Sequence, residues 1–429
     1  MSFQDRNISP QRIAIVGGGI SGLAAAYLLA PQHQVTIYEA APQMGGHART
    51  VMAGLNGDQP VDTGFIVFNY ANYPNLTRMF DDLDVPVIKS DMSFGASIDQ
   101  GRIEYGLRSL DALFAQRRNI AHPGFLRMVA DIFRFNARAV AAAQDDNATI
   151  DDLMGDLKLG RWFQDYYLTP FCGAIWSTPP DQVRSFPARS IVQFFKNHAL
   201  LGASGQHQWY TVQNGSVEYV RRLTDHLRLR GVALRPGTPV QSVLRDGARI
   251  RVATGTAPTE AFDQVIFACH SDDALHLLDR PTADEHSALS NLTYQDNDMI
   301  LHRDTGQMPK RRAVWSSWVY QADTSQPSTR IGVTYWMNRL QQIRESDPLF
   351  VTLNPAHEIP QEMIYDQTVF RHPVFDHAAL RAQTRLKAIQ GRNNTWFAGA
   401  YLGSGFHEDG FQSAVDIVTA LDRQEQMAA

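Results

Sequence analysis

The sequence predicts an α/β protein: a Rossmann-type nucleotide-binding domain interrupted by an inserted α+β domain. Three observations predict it. A strand, glycine turn, helix and second strand open the chain. Short-strand, glycine-bearing segments return in the middle and at the end. Between them lie long stretches of another character, helical and dense in aromatic residues.

The opening unit is IAIVGGGISGLAAAYLLAPQHQVTIYEA. Ile13 to Val16 is a short apolar run that reads as a buried strand. Gly17, Gly19 and Gly22 follow in the spacing G-x-G-x-x-G. The first permits a tight turn, the second lets the backbone approach a pyrophosphate, and the third lets the helix pack on the strand. Ser21 to Ala30 is a small-residue helix whose free N–H groups favour an anion, and Ile20 before it is a further cofactor-binding candidate. Val35 to Tyr38 is the second strand. It ends at Glu39, followed by Ala40, where a carboxylate can accept both ribose hydroxyls. An acid there argues against a 2′-phosphate, but the unit alone does not separate NAD from FAD.

With 429 residues the chain is too long for one simple core, so two domains are expected. A net charge of −5 gives no reason to expect nucleic acid as a partner. Cys172 and Cys269 are the only cysteines and lie far apart, which supports neither a disulfide framework nor a cysteine metal site. MSFQDRNISPQR is polar and no run of about 18 apolar residues exists. A cytoplasmic protein is therefore expected, at most peripheral on the inner face of a membrane.

Gly45 and Gly46 form a second glycine turn a few residues beyond the ribose acid, followed by His47, Arg49 and Thr50. A cation here can meet the same pyrophosphate or simply be solvated in a loop. Asp62 and Gly64 lie in a turn, and a helix starts near Tyr73. On these motifs the chain resembles the FAD-dependent amine oxidase and phytoene desaturase superfamily. The resemblance implies a glutathione reductase-like FAD-binding domain built from 1–93, 204–276 and 386–429, and a substrate domain from 94–203 and 277–385. Relatives usually carry Arg directly after the Gly-Gly, where this chain has His47, so Arg49 is the candidate to take over that contact.

From 106 to 143 two helices are expected, separated by His122-Pro123-Gly124. In the second, Leu126, Val129, Phe133, Ala137 and Val140 recur at helical spacing, with Arg127, Arg134 and Arg138 beside them. Arg108, Arg117 and Arg118 lie upstream. Such a pair can lie on a membrane surface, or be an ordinary domain helix with a solvated basic face. Trp162 to Trp176 is dense in aromatics that suit a large apolar cavity or an ordinary core. Three prolines make 177–187 irregular, and Phe194, Phe195 and His198 follow on a helix.

Near Gln208 the nucleotide domain resumes, with a strand, a turn at Asn214-Gly215 and a helix to about Leu229. A hairpin is expected at Asp246-Gly247. In the resembled family the residue matching Val240 lies beside the adenine, and the match of Phe262 to Cys269 re-enters the sheet, before a turn that here carries His270. Ala313 to Tyr320 and Arg330 to Met337 read as strands of the second domain, whereas 347–372 reads as loop.

The closing segment is NTWFAGAYLGSGFHEDGFQSAVDIVTAL. Thr395 to Ala398 is a strand, and Gly399, Gly403, Gly405 and Gly410 let the backbone run against a ligand. Phe411 to Leu421 is a helix whose N-terminal dipole end can stabilise negative charge on a reduced flavin. The resemblance gives Gly399, Tyr401, Gly410 and Phe411 to the cofactor, with Ala400 where relatives carry an acid. His407 and Glu408 are candidates for a proton relay, and Asp409 for a helix cap. No His-x-x-His or His-Glu-x-x-His spacing exists, so no metal is expected.

The resemblance extends to bacterial flavoproteins that desaturate methyl-branched acyl chains in furan fatty acid synthesis. It implies a lipid acyl substrate, a membrane surface met through the basic helices, and electrons passed from FAD to oxygen or another acceptor. Two other readings stand beside it: an amine oxidase acting on a small amine, and a non-catalytic flavin-binding partner of a lipid-modifying enzyme. The oligomeric state is left open.

Overall fold

The computed structural model describes residues 9–176, 183–202, 207–247, 249–255, 258–322 and 332–428. The irregular stretch expected at 177–187, the start of the strand expected at Arg330, and the Trp176 side chain fall wholly or partly outside the described residues.

The opening unit folds as β1 (Arg12–Val16), α1 (Ile20–Leu29) and β2 (Gln34–Tyr38). β1 is the middle strand of a five-stranded parallel sheet. Gln264–Phe267 and then Thr395–Phe397 lie on one side, and β2 and then Ala233–Arg235 on the other. Ile13, Ala14 and Ile15 are fully buried, as strands of a sheet covered on both faces must be. α1 and the C-terminal helix His407–Ala428 cover one face, sharing a core with α2 (Pro74–Asp82). A Cβ on Gly22 would lie 2.0 Å from the Gly17 carbonyl oxygen, so only glycine lets α1 close on the turn.

The three-stranded sheet Ser242–Asp246, Arg249–Ala253 and Glu260–Phe262 covers the other face. The helices Ala283–Ser290 and His377–Ile389 share that core. Both lie largely in stretches that the resemblance assigns to the substrate domain. Their small apolar faces, Ala288 and Leu289 against Ala379 and Leu386, nevertheless pack with the nucleotide sheet.

The second sheet has seven strands: Ile364–Pro373, Tyr294–His302, Phe350–Leu353, Gly332–Trp336, Trp318–Ala322, Phe94–Ile98 and Ile103–Gly106, in that spatial order. All pairs are antiparallel except Trp318–Ala322 with Phe94–Ile98. Two of these strands lie where the sequence reads as loop. Ile364–Pro373 is polar because it is an edge strand with a largely unpaired outer side, so it lacks the apolar run of a central one.

Of the two helices expected at 106–143, the first is broken into a strand end, α3 (Leu110–Leu113) and a 3₁₀ turn Arg117–Ala121. The buried Gln116 amide accepts from Glu104 N and donates to the Gly101 and Arg102 carbonyls, tying the segment to the sheet edge. The second is α4 (Pro123–Ala142), capped by His122. Its buried side is Phe125, Met128, Phe135 and Ala139, whereas the apolar stripe read from the sequence points outward at Leu126 and Phe133. Asp131 is buried and held by Arg127 at 3.0 Å and Arg134 at 2.7 Å. No helix of the described residues is long and apolar enough to cross a membrane.

Candidate active site

A cavity of about 800 Å³ runs from the end of β1 into the space under the seven-stranded sheet. Its nucleotide end is built on bare backbone. Gly17 has φ +113°, and a Cβ there would lie 2.5 Å from Ala268 O, so no other residue fits the turn. Gly45 N donates to Gly18 O at 2.8 Å, which lays the second glycine turn over the first. A Cβ on Gly46 would stand 3.0 Å from the Gly19 Cα. Glu39 closes this end: Oε2 accepts from Gly18 N at 2.6 Å and Oε1 from Ala41 N at 2.8 Å. Two helix N-termini converge here. A Cβ on Gly410 would lie 2.8 Å from Ser21 Oγ, so glycine lets the C-terminal helix reach the start of α1. Each positive dipole end favours negative charge beside it.

The cavity wall takes in Gly17, Gly19, Ile20, Ser21, Glu39, Ala40, Gly46, His47, Val240, Gly399, Tyr401 and His407. Gly22, Gly45 and Gly410 shape the wall from behind. Three expected contacts are placed elsewhere. Arg49 is not on the wall: it donates to Asp366 at 2.6 Å and to Thr63 Oγ1 at 3.1 Å. Glu408 turns away to the N-terminus of α2, accepting from Asn75 N at 2.9 Å, Asn75 Nδ2 at 2.7 Å and Leu76 N at 3.0 Å. Free N–H groups at a helix start attract a carboxylate, and that binding removes Glu408 from any relay. The Phe411 ring is buried in the core. Asp409 caps its own helix, accepting from Phe406 N at 2.9 Å.

The residues present fit a flavin dinucleotide. Bare glycine backbone and two helix starts suit a pyrophosphate, and the braced Glu39 suits a ribose. His47 Nε2 and Tyr401 Oη are buried without a partner among the described residues. Unpaired buried polar atoms are costly, so a bound group that meets them would stabilise the site. FAD would be held by these groups.

Beyond the glycine turns stand His47, His270, His372 and His407, four of the six histidines on the described cavity wall. His47 stacks on Phe370 at 5.0 Å, with the rings of His270 and His372 each 6.0 Å away. Burial pushes His47 and His270 down to about 4 and His372 and His407 down to about 3. All four are neutral imidazoles at pH 7. The His407 ring stacks on Phe65 at 3.8 Å, and its Nε2 lies 2.9 Å from the Tyr219 hydroxyl. Burial raises that phenol, so it stays protonated. His407 lies in the first turn of the C-terminal helix, four residues earlier than the sequence places its start. His270, Asp272 and Asp273 bring side-chain ligand atoms within 4.8 Å of one another, but Arg371 already bonds Asp272.

The far end is apolar. Phe94, Phe171, Phe194, Trp318, Tyr335 and Phe406 form much of its wall. Among the described lining residues the carboxylates are Glu39 and Asp273, and both act on Cys269 at the nucleotide end. The one lining guanidinium, Arg371, is paired with Asp272 and lies over the Tyr294 ring. Sequence reasoning missed His372, because its strand reads as loop, and Tyr219, whose role depends on a contact 188 residues away.

The model of one protein family, "Flavin containing amine oxidoreductase", matches residues 20–342. Among curated proteins, L-amino-acid oxidase of Sistrurus catenatus edwardsii is 56% identical over 43 residues, 10% of this chain and 8% of that protein. The chain thus matches under a tenth of that relative's length. Among solved structures, a CLA-producing fatty acid isomerase from P. acnes superposes with a TM-score of 0.68 at 15% identity, covering 96% of this chain and 98% of that one. Cyclohexylamine oxidase from Brevibacterium oxydans IH-35A superposes with a TM-score of 0.66 at 13% identity, covering 96% and 100%. At such identity the likeness is one of fold.

Proposed function

The chain belongs to the family of flavin containing amine oxidoreductases and is an FAD-dependent oxidoreductase; on that premise we propose that it desaturates fatty acyl chains, methyl-branched chains of membrane phospholipids in particular. The observation that carries this reading is the far wall of the cavity. It is aromatic and aliphatic and holds no carboxylate among its described residues, and the histidines before it are uncharged. A substrate ammonium or carboxylate would lose its hydration there without a counter-ion, which is costly, whereas a hydrocarbon chain gains by burial.

Desaturation removes a hydride and a proton from adjacent carbons and leaves a C=C bond. Bound FAD supplies the acceptor for the hydride. The apolar wall lays the chain out and excludes water. His407 is the base: with Nε2–H donating to Tyr219 Oη, Nδ1 has the lone pair that takes the proton. Once a hydride has left, the neighbouring C–H is acidic, so a weakly basic imidazole is sufficient.

A second reading, a flavin amine oxidase, is favoured by one feature. Trp318 and Tyr335 stand together on the cavity wall, edge-to-face at 5.4 Å, and an aromatic ring face turned to a cavity attracts an ammonium. The test is expression in cells whose lipids contain methyl-branched acyl chains, with lipid mass spectrometry against a Gly19→Trp control. A product lighter by two hydrogens, absent in the control, is expected. Unchanged lipids, together with a flavin bleached anaerobically by an amine, would establish the second reading instead.

A further inference from the structure

α4 carries two apolar stripes, and a helix of a water-soluble domain needs only one. The inner stripe meets Phe163 and Phe195. The outer one runs through Leu126 and Phe133, which are 45% and 62% exposed, with Val129 half-buried between them. Segments just before it in the chain also expose apolar side chains: Leu110 on α3 is 76% exposed, and Ile120 on the 3₁₀ turn packed against α4 is 50% exposed. Of the thirteen large apolar side chains exposed among the described residues, five lie between 107 and 133. Such clustering marks an interaction surface rather than scattered exposure.

The charges beside the stripe select the occupant. The chain as a whole is acidic, yet 106–143 holds six arginines against two aspartates. One of those, Asp131, is buried and occupied by Arg127 and Arg134. Arg138, one turn beyond Arg134, has no carboxylate partner among the described residues, nor has Arg108. An apolar stripe flanked by free guanidinium groups is complementary to a bilayer bearing anionic headgroups. The position fits as well. The inner side of α4 packs on the helix Ala188–Asn197, whose Phe194 forms part of the cavity wall. The helix Ala188–Asn197 therefore lies between α4 and the apolar chamber.

We infer that the outer face of α4, with α3 and the 3₁₀ turn beside it, docks the protein on an anionic phospholipid surface, Leu126 and Phe133 entering the acyl boundary and Arg108 and Arg138 meeting phosphate. The inference stands on this face alone and does not need the acyl substrate.

The test is co-sedimentation of the flavin-loaded full chain with vesicles of mixed phosphatidylglycerol and phosphatidylcholine, and with pure phosphatidylcholine. Binding to the mixed vesicles, weakened by salt and much weaker on the neutral ones, is expected. Phe133→Asp should weaken it by about tenfold or more, from the lost burial of one large side chain. Arg138→Glu should weaken it by about 25-fold, near fivefold for each of the two units of charge removed. Both positions are on the surface, so flavin absorbance and melting should be retained. Phe133→Cys carrying a polarity-sensitive dye gives a second readout, a blue shift on the mixed vesicles. No binding to the mixed vesicles, or binding indifferent to both substitutions, would overturn the inference. So would a concentration-dependent dimer broken by Phe133→Asp, which would make a second copy the occupant. No turnover is measured, so failure here is distinct from failure of the desaturase reading.

Discussion

Replacing Gly19 by alanine should separate folding from cofactor binding. Gly19 has φ −77° and ψ −174°, a conformation open to any residue. A Cβ there would meet only Gly46 Cα, at 3.9 Å, which is ordinary contact. The apoprotein therefore has room for the methyl group. Loss of glycine at a helix N-cap costs up to about 1 kcal/mol, and the lower entropy of the unfolded chain returns about 0.4–1 kcal/mol. Apoprotein stability should stay within about 1 kcal/mol of wild type. The methyl group projects between the two glycine turns, where the pyrophosphate is expected. Moving an anion off one or two charge-assisted hydrogen bonds costs about 2–4 kcal/mol, or about 30- to 1,000-fold in Kd. The assay is titration of apoprotein with FAD, read by flavin fluorescence, alongside thermal melting of both apoproteins. FAD affinity within about threefold of wild type would show that Gly19 does not face the pyrophosphate. An unfolded variant would refute the argument about room. Gly17→Ala is the contrast: with φ +113° and a clash at Ala268 O, it should fail at folding itself.

Acid should destabilise the apoprotein. His47, His270, His372 and His407 have folded-state values of about 3 to 4, below the unfolded value. The unfolded chain thus binds more protons below about pH 6.5, and the stability these groups contribute is full above that and lost as pH falls toward the folded values. Each contributes at most about 1.4 kcal/mol per pH unit, so a melting temperature flat between about pH 7 and 5 would contradict their burial as neutral groups. Asp62, raised by burial to about 6, works in the opposite direction, so Asp62→Asn should steepen the fall. Tyr219→Phe removes the partner of His407 and should cost about 1–3 kcal/mol of stability; on the desaturase reading it also lowers kcat more than it raises KM. Glu408→Gln should cost about 1–2 kcal/mol through the loosened start of α2 while turnover per bound flavin is unchanged; a loss of kcat with full stability would restore Glu408 to the chemistry.

The parts of the fold that were legible in the sequence are those where one local pattern dictates the structure. Ile13 to Glu39 is such a part, because a buried parallel strand, a glycine turn and an amphiphile-free helix each leave a mark within a few residues. Asn214-Gly215 is another, with φ of +67° and +90°. What was not legible depended on distant partners. Ile364–Pro373 is a strand because Tyr294–His302 pairs with it, and nothing in its own polar composition says so. Arg49 and Glu408 have the right chemistry and the right neighbourhood for the site, yet Asp366 and the start of α2 take them, over separations of 317 and about 333 residues. The periodicity of α4 was correctly read as helical, but two stripes satisfy the same period, and packing alone decides which is inner.

The position of β1 has a consequence for how the protein is made. The strand is synthesised well before one of its two neighbours, Gln264–Phe267, joined to it through a contact of separation 251, and the strand beyond that is Thr395–Phe397. The C-terminal helix that covers the same face comes later still. At about 5–20 residues per second, the fully apolar Ile13 to Val16 waits on the order of twenty to eighty seconds for its sheet to be completed. During that time it is an unpaired, aggregation-prone edge. Nascent chains of this protein should therefore engage chaperones through the β1 segment, and FAD, whose site also needs Gly399, Tyr401 and His407, can stabilise the fold only once that later segment is in place.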